Sequence, residues 1–311
     1  YHVIDWKKRE EELKKLLEKN RSGDGSFDVV VPASGGKDSG YVAHQLKYVY
    51  KMHPLCVTWS PYIYTDIGYK NFNNFINIGG FDVIWGHPNG RLHRKLARVA
   101  FETVADAWQP FAYGQKAFAM HIALKFNIPL VFWGENGEVE YGGSLVDADR
   151  PYEPLEHWDK HYFKGTNVDK LFKIAIDMGV IKKNEFPKAE LEFYKPPDFE
   201  KLRKLGIRHY WFSYFKKWVP QENFYYSQKH TGFVANEEGR SEGTYSKYAS
   251  LDDRTDGFHF YMAYIKFGIA RATSDAAHEI RDGHITRDEG VALVKRYDGE
   301  FPTKYFGEFL D

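Results

Sequence analysis

The stretch FDVVVPASGGKDSGYVA, residues 27–43, decides the fold of this chain. A short valine-rich run of this kind is typical of a parallel strand that is buried on both faces. The residues SGGKDS, 34–39, follow it directly, and a helical pattern comes next. Two glycines let the backbone approach an anion, and a helix start offers free N–H groups and a positive dipole end. We therefore predict a phosphate loop (residues 34–39) in which Ser34 and Ser39 donate to phosphate oxygens and Lys37 supplies charge.

The segments that follow alternate between strand and helix patterns. Strands are predicted at FDVVVPA, PLCVTW, FDVIW and IPLVFW, and helices at about 38–50, 67–78, 91–107 and 115–126. This alternation indicates βαβ units. We predict an α/β fold, a doubly wound and mostly parallel sheet over residues 27–150.

The flanking segments are predicted to be separate parts. Residues 1–26 give a surface helix over 5–20 and a linker, while 151–311 form a helical and aromatic region for substrate or partner binding. Within that region IRHYWFSYF (207–215) is β-prone and could return one strand to the sheet. Thr286 and Glu289 have the spacing of a capping box at a helix start.

Composition limits the class of protein. The 311 residues include 43 Lys+Arg and 43 Asp+Glu, a balance that argues against a nucleic-acid partner. No apolar run approaches the roughly 20 residues of a membrane helix, and the first residues lack a signal-peptide core, so a cytoplasmic location is the default expectation. Because the sequence begins with Tyr1 rather than Met, we expect an upstream segment. The single cysteine, Cys56, allows neither a disulfide framework nor a Cys-based zinc site within this chain.

The phosphate loop matches a known signature. It has neither the G-x-x-x-x-G-K-[ST] nor the G-x-G-x-x-G spacing. It resembles the SGGxDS signature of the PP-loop, or N-type ATP pyrophosphatase, superfamily, whose members cut ATP between the α and β phosphates and attach AMP to a substrate oxygen. The resemblance implies ATP and Mg²⁺, with pyrophosphate held by Ser34, Gly35, Gly36, Lys37, Asp38 and Ser39.

Two further strand ends fit the same resemblance. It implies that adenine is read near Val57, Thr58 and Trp59, and that Gly134, Glu135 and Asn136 form a turn beside the phosphates. Ligands of open α/β sheets bind at such carboxyl strand ends.

Three charged residues, Asp38, Glu135 and Lys116, could take part in the chemistry. Asp38 or Glu135 could hold Mg²⁺, although Glu135 could equally be a solvated turn carboxylate. Lys116 could supply charge in the transition state or be a solvated lysine.

The stretch 242–290 is dense in polar groups set among aromatics. Asp275, His278 and Arg281/Asp282 recur at helical spacing, and a cluster around Asp252 and Asp253 precedes them. Such groups are costly to bury unless they are paired or bind a polar ligand, and one with hydroxyls and phosphates would suit them. The alternative is a surface helix-turn-helix with solvated charges. Spacing alone leaves open whether the Asp252/Asp253 pair serves Mg²⁺, substrate or neither.

Together with the phosphate loop and GENGEVEYGG, this stretch resembles the N-acetyl sugar amidotransferase family of bacterial surface-polysaccharide biosynthesis, including O-antigen. The resemblance implies conversion of the acetamido group of a free or nucleotide-linked sugar to an acetamidino group, with ammonia from a separate glutaminase and its barrel subunit. We predict that Lys37, Asp38 and Lys116 are catalytic, with Lys37 and Lys116 supplying charge, and that Asp256 or His259 orients the sugar or deprotonates ammonia. Substrate contacts are predicted from Arg254, Tyr261, Arg271 and Arg281. Family members usually begin with paired cysteines that resemble a zinc knuckle, so zinc is implied only through an upstream segment.

Two rival functions remain open at this point. The basic residues Arg91, Arg94, Lys95 and Arg98 would suit a PP-loop enzyme that modifies tRNA, although the balanced charge does not favour it. The chain could also be a non-catalytic nucleotide-binding subunit, since fold does not fix function.

Overall fold

The computed structural model describes residues 3–140, 149–155, 158 and 166–311. The part of GENGEVEYGG beyond residue 140 lies outside this set. The strands are β1 (Val29–Pro32), β2 (Pro54–Trp59), β3 (Asp82–Gly86), β4 (Leu130–Trp133), β5 (Tyr152–Glu153) and β6 (Arg208–Trp211). The helices are α1 (Trp6–Asn20), α2 (Lys37–His44), α3 (Asp66–Asn77), α4 (Gly90–Val104), α5 (Gln109–Phe126), α6 (Gly137–Glu140), α7 (Val168–Asp177), α8 (Phe199–Lys204), α9 (Phe212–Phe215), α10 (Pro220–Thr231), α11 (Asp256–Phe267), α12 (Arg271–Asp282), α13 (Arg287–Tyr297) and α14 (Phe306–Leu310).

The six strands form one sheet in the order β3-β2-β1-β4-β6-β5. β1 pairs in parallel with β2 and with β4, so that Val30 lies opposite both Leu55 and Val131. β2 with β3 and β4 with β6 are parallel too, and β5 alone runs antiparallel to its neighbour. The prediction of a mixed α/β fold with a mostly parallel sheet is confirmed, and its PP-loop type stays a prediction.

Both faces of the sheet are covered. In β1, Val30 belongs to one buried cluster, with residues of α4, α5 and α7, whereas Val29 and Val31 belong to the other, with residues of α1 and α2. Alternate residues of a strand point to opposite faces, so this division explains why the run reads as continuously apolar.

Several local predictions can be compared with the structure. The strand predicted in IRHYWFSYF is present as β6, but it stops at Trp211 and the next four residues form α9. α5 begins at Gln109, ahead of the predicted 115, with Pro110 in its first turn, where a missing N–H costs no helical hydrogen bond. The predicted capping box of Thr286 and Glu289 is confirmed at the start of α13.

The C-terminal region reaches back to the carboxyl edge of the sheet. Tyr64, in the loop after β2, forms a β-bridge with Asp253, and the Arg254 amide donates to the carbonyl of Ile63 at 2.9 Å. These contacts bring the segment before α11 to the end of β1 where the phosphate loop lies. Among the described helices, none combines the length and apolar character needed to cross a membrane.

Candidate active site

The phosphate loop is a tight turn between β1 and α2. Gly35 has φ +85°, a conformation that side chains disfavour, and a methyl group there would lie 2.6 Å from the Cα of Phe72 in α3. Gly36 caps α2 in an extended conformation, and its amide donates to Ser34 Oγ at 3.2 Å. The Ser39 hydroxyl donates to the Gly36 carbonyl at 3.2 Å. The loop thus places two hydroxyls beside the free N–H groups at the start of α2, an arrangement that suits an anion.

α10 fixes the orientation of α2. Ser227 donates to the carbonyl of Lys37 at 2.6 Å, and Asn223 Nδ2 donates to Asp38 Oδ1 at 3.2 Å. Lys37 forms an ion pair with Asp38, and its Nζ lies 5.3 Å from the ring centroid of Tyr248. Asn223, Ser227 and Tyr248 are not among the residues predicted from the sequence. The i, i+4 spacing of Asn223 and Ser227 behind Pro220 was an available signal for a polar helix face.

A cavity of about 280 Å³ opens above the phosphate loop. Its polar part comes from the loop and from the segment before α11, while aromatic rings form much of the remainder. The aromatic lining residues are Trp59, Trp108, Phe111, Phe118, Trp133, Phe233, Tyr248 and Phe260. A cleft in which aromatic walls surround convergent polar groups is a common form of small-molecule site.

Many predicted site residues line this cavity. They are Ser34, Gly36, Lys37, Asp38, Ser39, Val57, Trp59, Gly134, Glu135, Asp256 and Arg271. Thr58 is buried behind them and its hydroxyl donates to the Ala33 carbonyl, while the buried Asn136 donates its amide to Ser213 Oγ at 3.1 Å. A methyl group on Gly134 would meet the Trp218 ring at 2.7 Å, so this turn needs glycine for packing.

Three aspartates from the C-terminal region, Asp252, Asp253 and Asp256, form an acidic wall of the cavity. Burial raises the pKa of Asp252 to about 6, although a hydrogen bond from Ser34 and the charge of Lys37 oppose the shift. Burial also raises the pKa of Asp253 to about 6, despite donation from the Thr255 amide at 2.8 Å and the Thr255 hydroxyl at 2.9 Å.

The third aspartate of the wall, Asp256, also has a raised pKa. Burial raises the pKa of Asp256, which Arg271 partly counteracts. Asp252 and Asp253, with pKa values of about 6, are suited to exchange protons near neutral pH.

Lys116 lies outside the described cavity lining, in a buried charged group. Its side chain is 1% exposed, it forms an ion pair with Glu153, and its Nζ lies 2.9 Å from His209 Nδ1. Burial lowers the pKa of Lys116 to about 8 and that of His209 to about 4. Burial alone would raise the pKa of Glu153, but the charge of Lys116 and the hydrogen bond with His209 lower it overall. Trp133 connects this group to the cavity, because its ring centroid lies 5.1 Å from Lys116 Nζ.

The other four predicted substrate or catalytic residues also lie outside that lining. His259 stacks on Trp108 and its Nδ1 is 3.0 Å from Asp106 Oδ1. Arg254 donates to the Tyr64 carbonyl at 3.1 Å and pairs with Glu308 at 2.9 Å.

The remaining two residues contact neighbours in the C-terminal region. Tyr261 packs edge-on against Phe301, and Arg281 contacts His278 Nδ1. His259 contacts the lining of the cavity through Trp108.

Within residues 3–140, 149–155 and 166–311, no group of three or more His, Cys, Asp or Glu side chains is arranged to hold a metal ion by itself. Asp38 and Glu135, the predicted Mg²⁺ ligands, both line the cavity. A cation there would need further ligands from a bound molecule.

A family model described as "LPS biosynthesis protein WbpG-like, C-terminal domain" matches residues 242–311. The matched segment contains the three aspartates of the acidic wall and Arg271. The match supports a polysaccharide-biosynthesis family and suggests involvement in LPS biosynthesis. No curated protein matches the chain.

Proposed function

We propose that this chain is an ATP-dependent, AMP-forming amidotransferase that converts the acetamido group of an N-acetyl sugar to an acetamidino group during LPS biosynthesis. One observation carries the proposal. The phosphate loop and three aspartates from the segment that matches an LPS biosynthesis family line the same cavity. A nucleotide held by the loop would therefore meet a polar substrate held by the C-terminal region.

The loop and its surroundings suit Mg²⁺-bound ATP. Backbone amides and the hydroxyls of Ser34 and Ser39 can donate to phosphate oxygens, and Lys37 can neutralise charge. Asp38 and Glu135 are the carboxylates that would hold Mg²⁺, which needs one or two of them when phosphates supply other ligands and which would neutralise the developing charge.

The reaction has two steps with a simple balance. The acetamido oxygen attacks the α-phosphorus, the bond to the bridging oxygen breaks, and pyrophosphate remains in the loop. Ammonia then adds to the activated carbon, the carbon–oxygen bond to AMP breaks, and one proton of ammonia leaves as the amidinium forms. In-line positioning and charge neutralisation are the main contributions of the protein to such chemistry.

The acidic wall is the candidate acceptor for that proton. Asp252 and Asp253, with pKa values near 6, are ionised at neutral pH and still basic enough to accept a proton transiently. Asp256, the aspartate of the wall whose carboxyl is influenced by the charge of Arg271, is our candidate for orienting the sugar. The ammonia is proposed to come from a separate glutaminase subunit, in a cytoplasmic setting.

The tRNA-modifying alternative loses part of its support. Lys95 pairs with Glu185 at 2.7 Å, Arg91 reaches the same carboxylate at 3.7 Å, and Arg98 pairs with Glu102 at 2.8 Å. Cations of α4 that already face carboxylates are less suited to a phosphate backbone.

The test is a reaction with Mg-ATP, an ammonium salt and a panel of acetamido sugars, free and UDP-linked, followed by pyrophosphate release and product mass. We expect sugar-dependent pyrophosphate and the small mass decrease that replacement of O by NH produces. Ser39→Ala should lower the rate by about 100-fold, since it removes one donor to a developing oxyanion, whereas Ser26→Ala in the exposed linker should not. ATP binding without pyrophosphate for any sugar would refute the proposal, and tRNA binding with steep salt dependence would favour the rival.

A further inference from the structure

A second, very small pocket lies beside α12. Asp275, Glu279 and Asp282 recur on one face of this helix at i, i+4 and i+7, and the pocket also has His278 and His284 in its lining. Its volume is about 10 Å³. A single molecule of the size of water needs roughly 10–15 Å³ by this measure, so the pocket can admit one such molecule.

The three carboxylates of this pocket differ in the hydrogen bonds that they accept. Asp275 accepts from Thr244 Oγ1 at 2.5 Å, and Glu279 accepts from the Tyr245 hydroxyl at 3.2 Å. The Asp282 side chain is only 1% exposed, and neither of its oxygens accepts a hydrogen bond from any residue that the structure describes.

The cations around Asp282 do not replace that missing donor. Arg281 Nε lies 3.9 Å from Asp282 Oδ1, beyond hydrogen-bond reach, and the same guanidinium contacts His278 Nδ1. Arg271 Nε lies 3.3 Å from Asp275, and Lys217 and His284 are further basic groups near Asp282. A buried carboxylate without a donor is costly, and a small cationic donor in the pocket would remove that cost.

Tyr248 connects this pocket with the main cavity, because it lines both. Its ring stacks on Phe224 with centroids 4.9 Å apart, and Lys37 Nζ lies 5.3 Å from it. One aromatic side chain therefore stands between the Asp282 carboxylate and the phosphate loop.

We propose that the Asp282 pocket binds an ammonium ion and delivers ammonia past Tyr248 to the activated carbon. The inference rests on the proposed function. Ammonium matches the pocket because it is about as large as water, carries one positive charge and donates four hydrogen bonds. On delivery one N–H bond breaks, the proton passes to the Asp282 carboxylate, and neutral ammonia moves on. Burial raises the pKa of Asp282, which favours that transfer.

The test compares wild type, Asp282→Asn and the matched control Asp288→Asn, an exposed aspartate on α13. Thermal unfolding is measured in ammonium, potassium, sodium and methylammonium chloride at equal ionic strength, and the KM for ammonium is measured with Mg-ATP and sugar. We expect ammonium alone to raise the Tm of wild type and control. In Asp282→Asn that rise should vanish and the KM for ammonium should increase about tenfold or more, as for loss of a charged hydrogen-bond acceptor, while sugar-dependent pyrophosphate release without ammonium stays unchanged.

Two outcomes would overturn the proposal. Equal stabilisation by potassium with an unchanged KM would identify a general cation site, and no cation effect would leave the pocket to water. If Asp282→Asn fails to fold, wild type alone decides, because methylammonium is too large for the pocket and should not raise the Tm. The sugar reaction and ammonium binding are tested separately. If no sugar supports pyrophosphate release, the proposed function fails, but an ammonium-specific Tm rise that depends on Asp282 would still show that the pocket binds ammonium.

Discussion

Replacing Lys116 by methionine tests whether this lysine is structural or catalytic. Lys116 is 1% exposed and Glu153 7%, and the pair lies among the rings of Trp133, Trp158 and Trp211. Methionine keeps most of the side-chain volume, so the main effect of the substitution is the loss of the positive charge. Glu153 would be left buried as a charge without its ammonium partner.

The expected destabilisation of Lys116→Met is about 3–5 kcal/mol, the usual effect of breaking a buried ion pair on one side. The double variant Lys116→Met with Glu153→Gln removes both charges at nearly constant shape. It should recover most of that loss, because replacing both partners is often neutral. With the Glu153→Gln single variant added, the double-mutant cycle gives the coupling energy between the two groups.

Urea unfolding followed by tryptophan fluorescence gives these free energies, and the pyrophosphate assay gives activity. If Lys116→Met loses less than about 1 kcal/mol of stability and yet abolishes sugar-dependent pyrophosphate release with ATP binding intact, Lys116 acts in the chemistry and the structural interpretation is refuted. The Lys116 ammonium would then have to act on the cavity past the Trp133 ring.

Three further predictions concern the cavity. Gly35→Ala should lose about 1–2 kcal/mol in urea unfolding from its positive φ, plus the clash with α3, and should abolish pyrophosphate release, whereas Gly23→Ala in the linker, with open space around it, should do neither. Asp252→Asn should raise the Tm above pH 6 and match wild type below pH 4, because a raised folded-state pKa gives the wild type stability at low pH that is lost as pH rises through about 6. Gly114→Ala should weaken ATP binding in titration calorimetry, since its methyl group would lie 2.1 Å from the Trp59 ring.

The sheet could be predicted because its evidence is local. Val29–Val31 read as a strand buried on both faces, and in the structure these residues do divide between two cores. The glycines at 35 and 36 marked a turn, and at Gly35 its positive φ is one that side chains disfavour. Each such feature depends on a few neighbouring residues, which a sequence displays directly.

The partners of Lys116 could not be predicted in the same way. Glu153 and His209 come from different strands that pair in antiparallel register, and nothing in the residues around 116 indicates that register. The position of Lys116 in a predicted helix was compatible with both a solvated lysine and a catalytic one. Three-dimensional pairing decided the matter in favour of deep burial.

Under the proposed function, substrate recognition would depend on the acidic wall, which comes from the distant end of the chain. Asp252 passes so close to α3 that a methyl group on Gly68 would lie 2.8 Å from its backbone, and its side chain bonds with Ser34 of the phosphate loop. The loop's own residues suit any triphosphate, whereas the residues opposite them belong to the segment matched by the LPS biosynthesis family. Specificity for the substrate should therefore follow changes in 250–256 rather than changes in the loop, and an altered Asp252 should affect both substrates through its contact with Ser34.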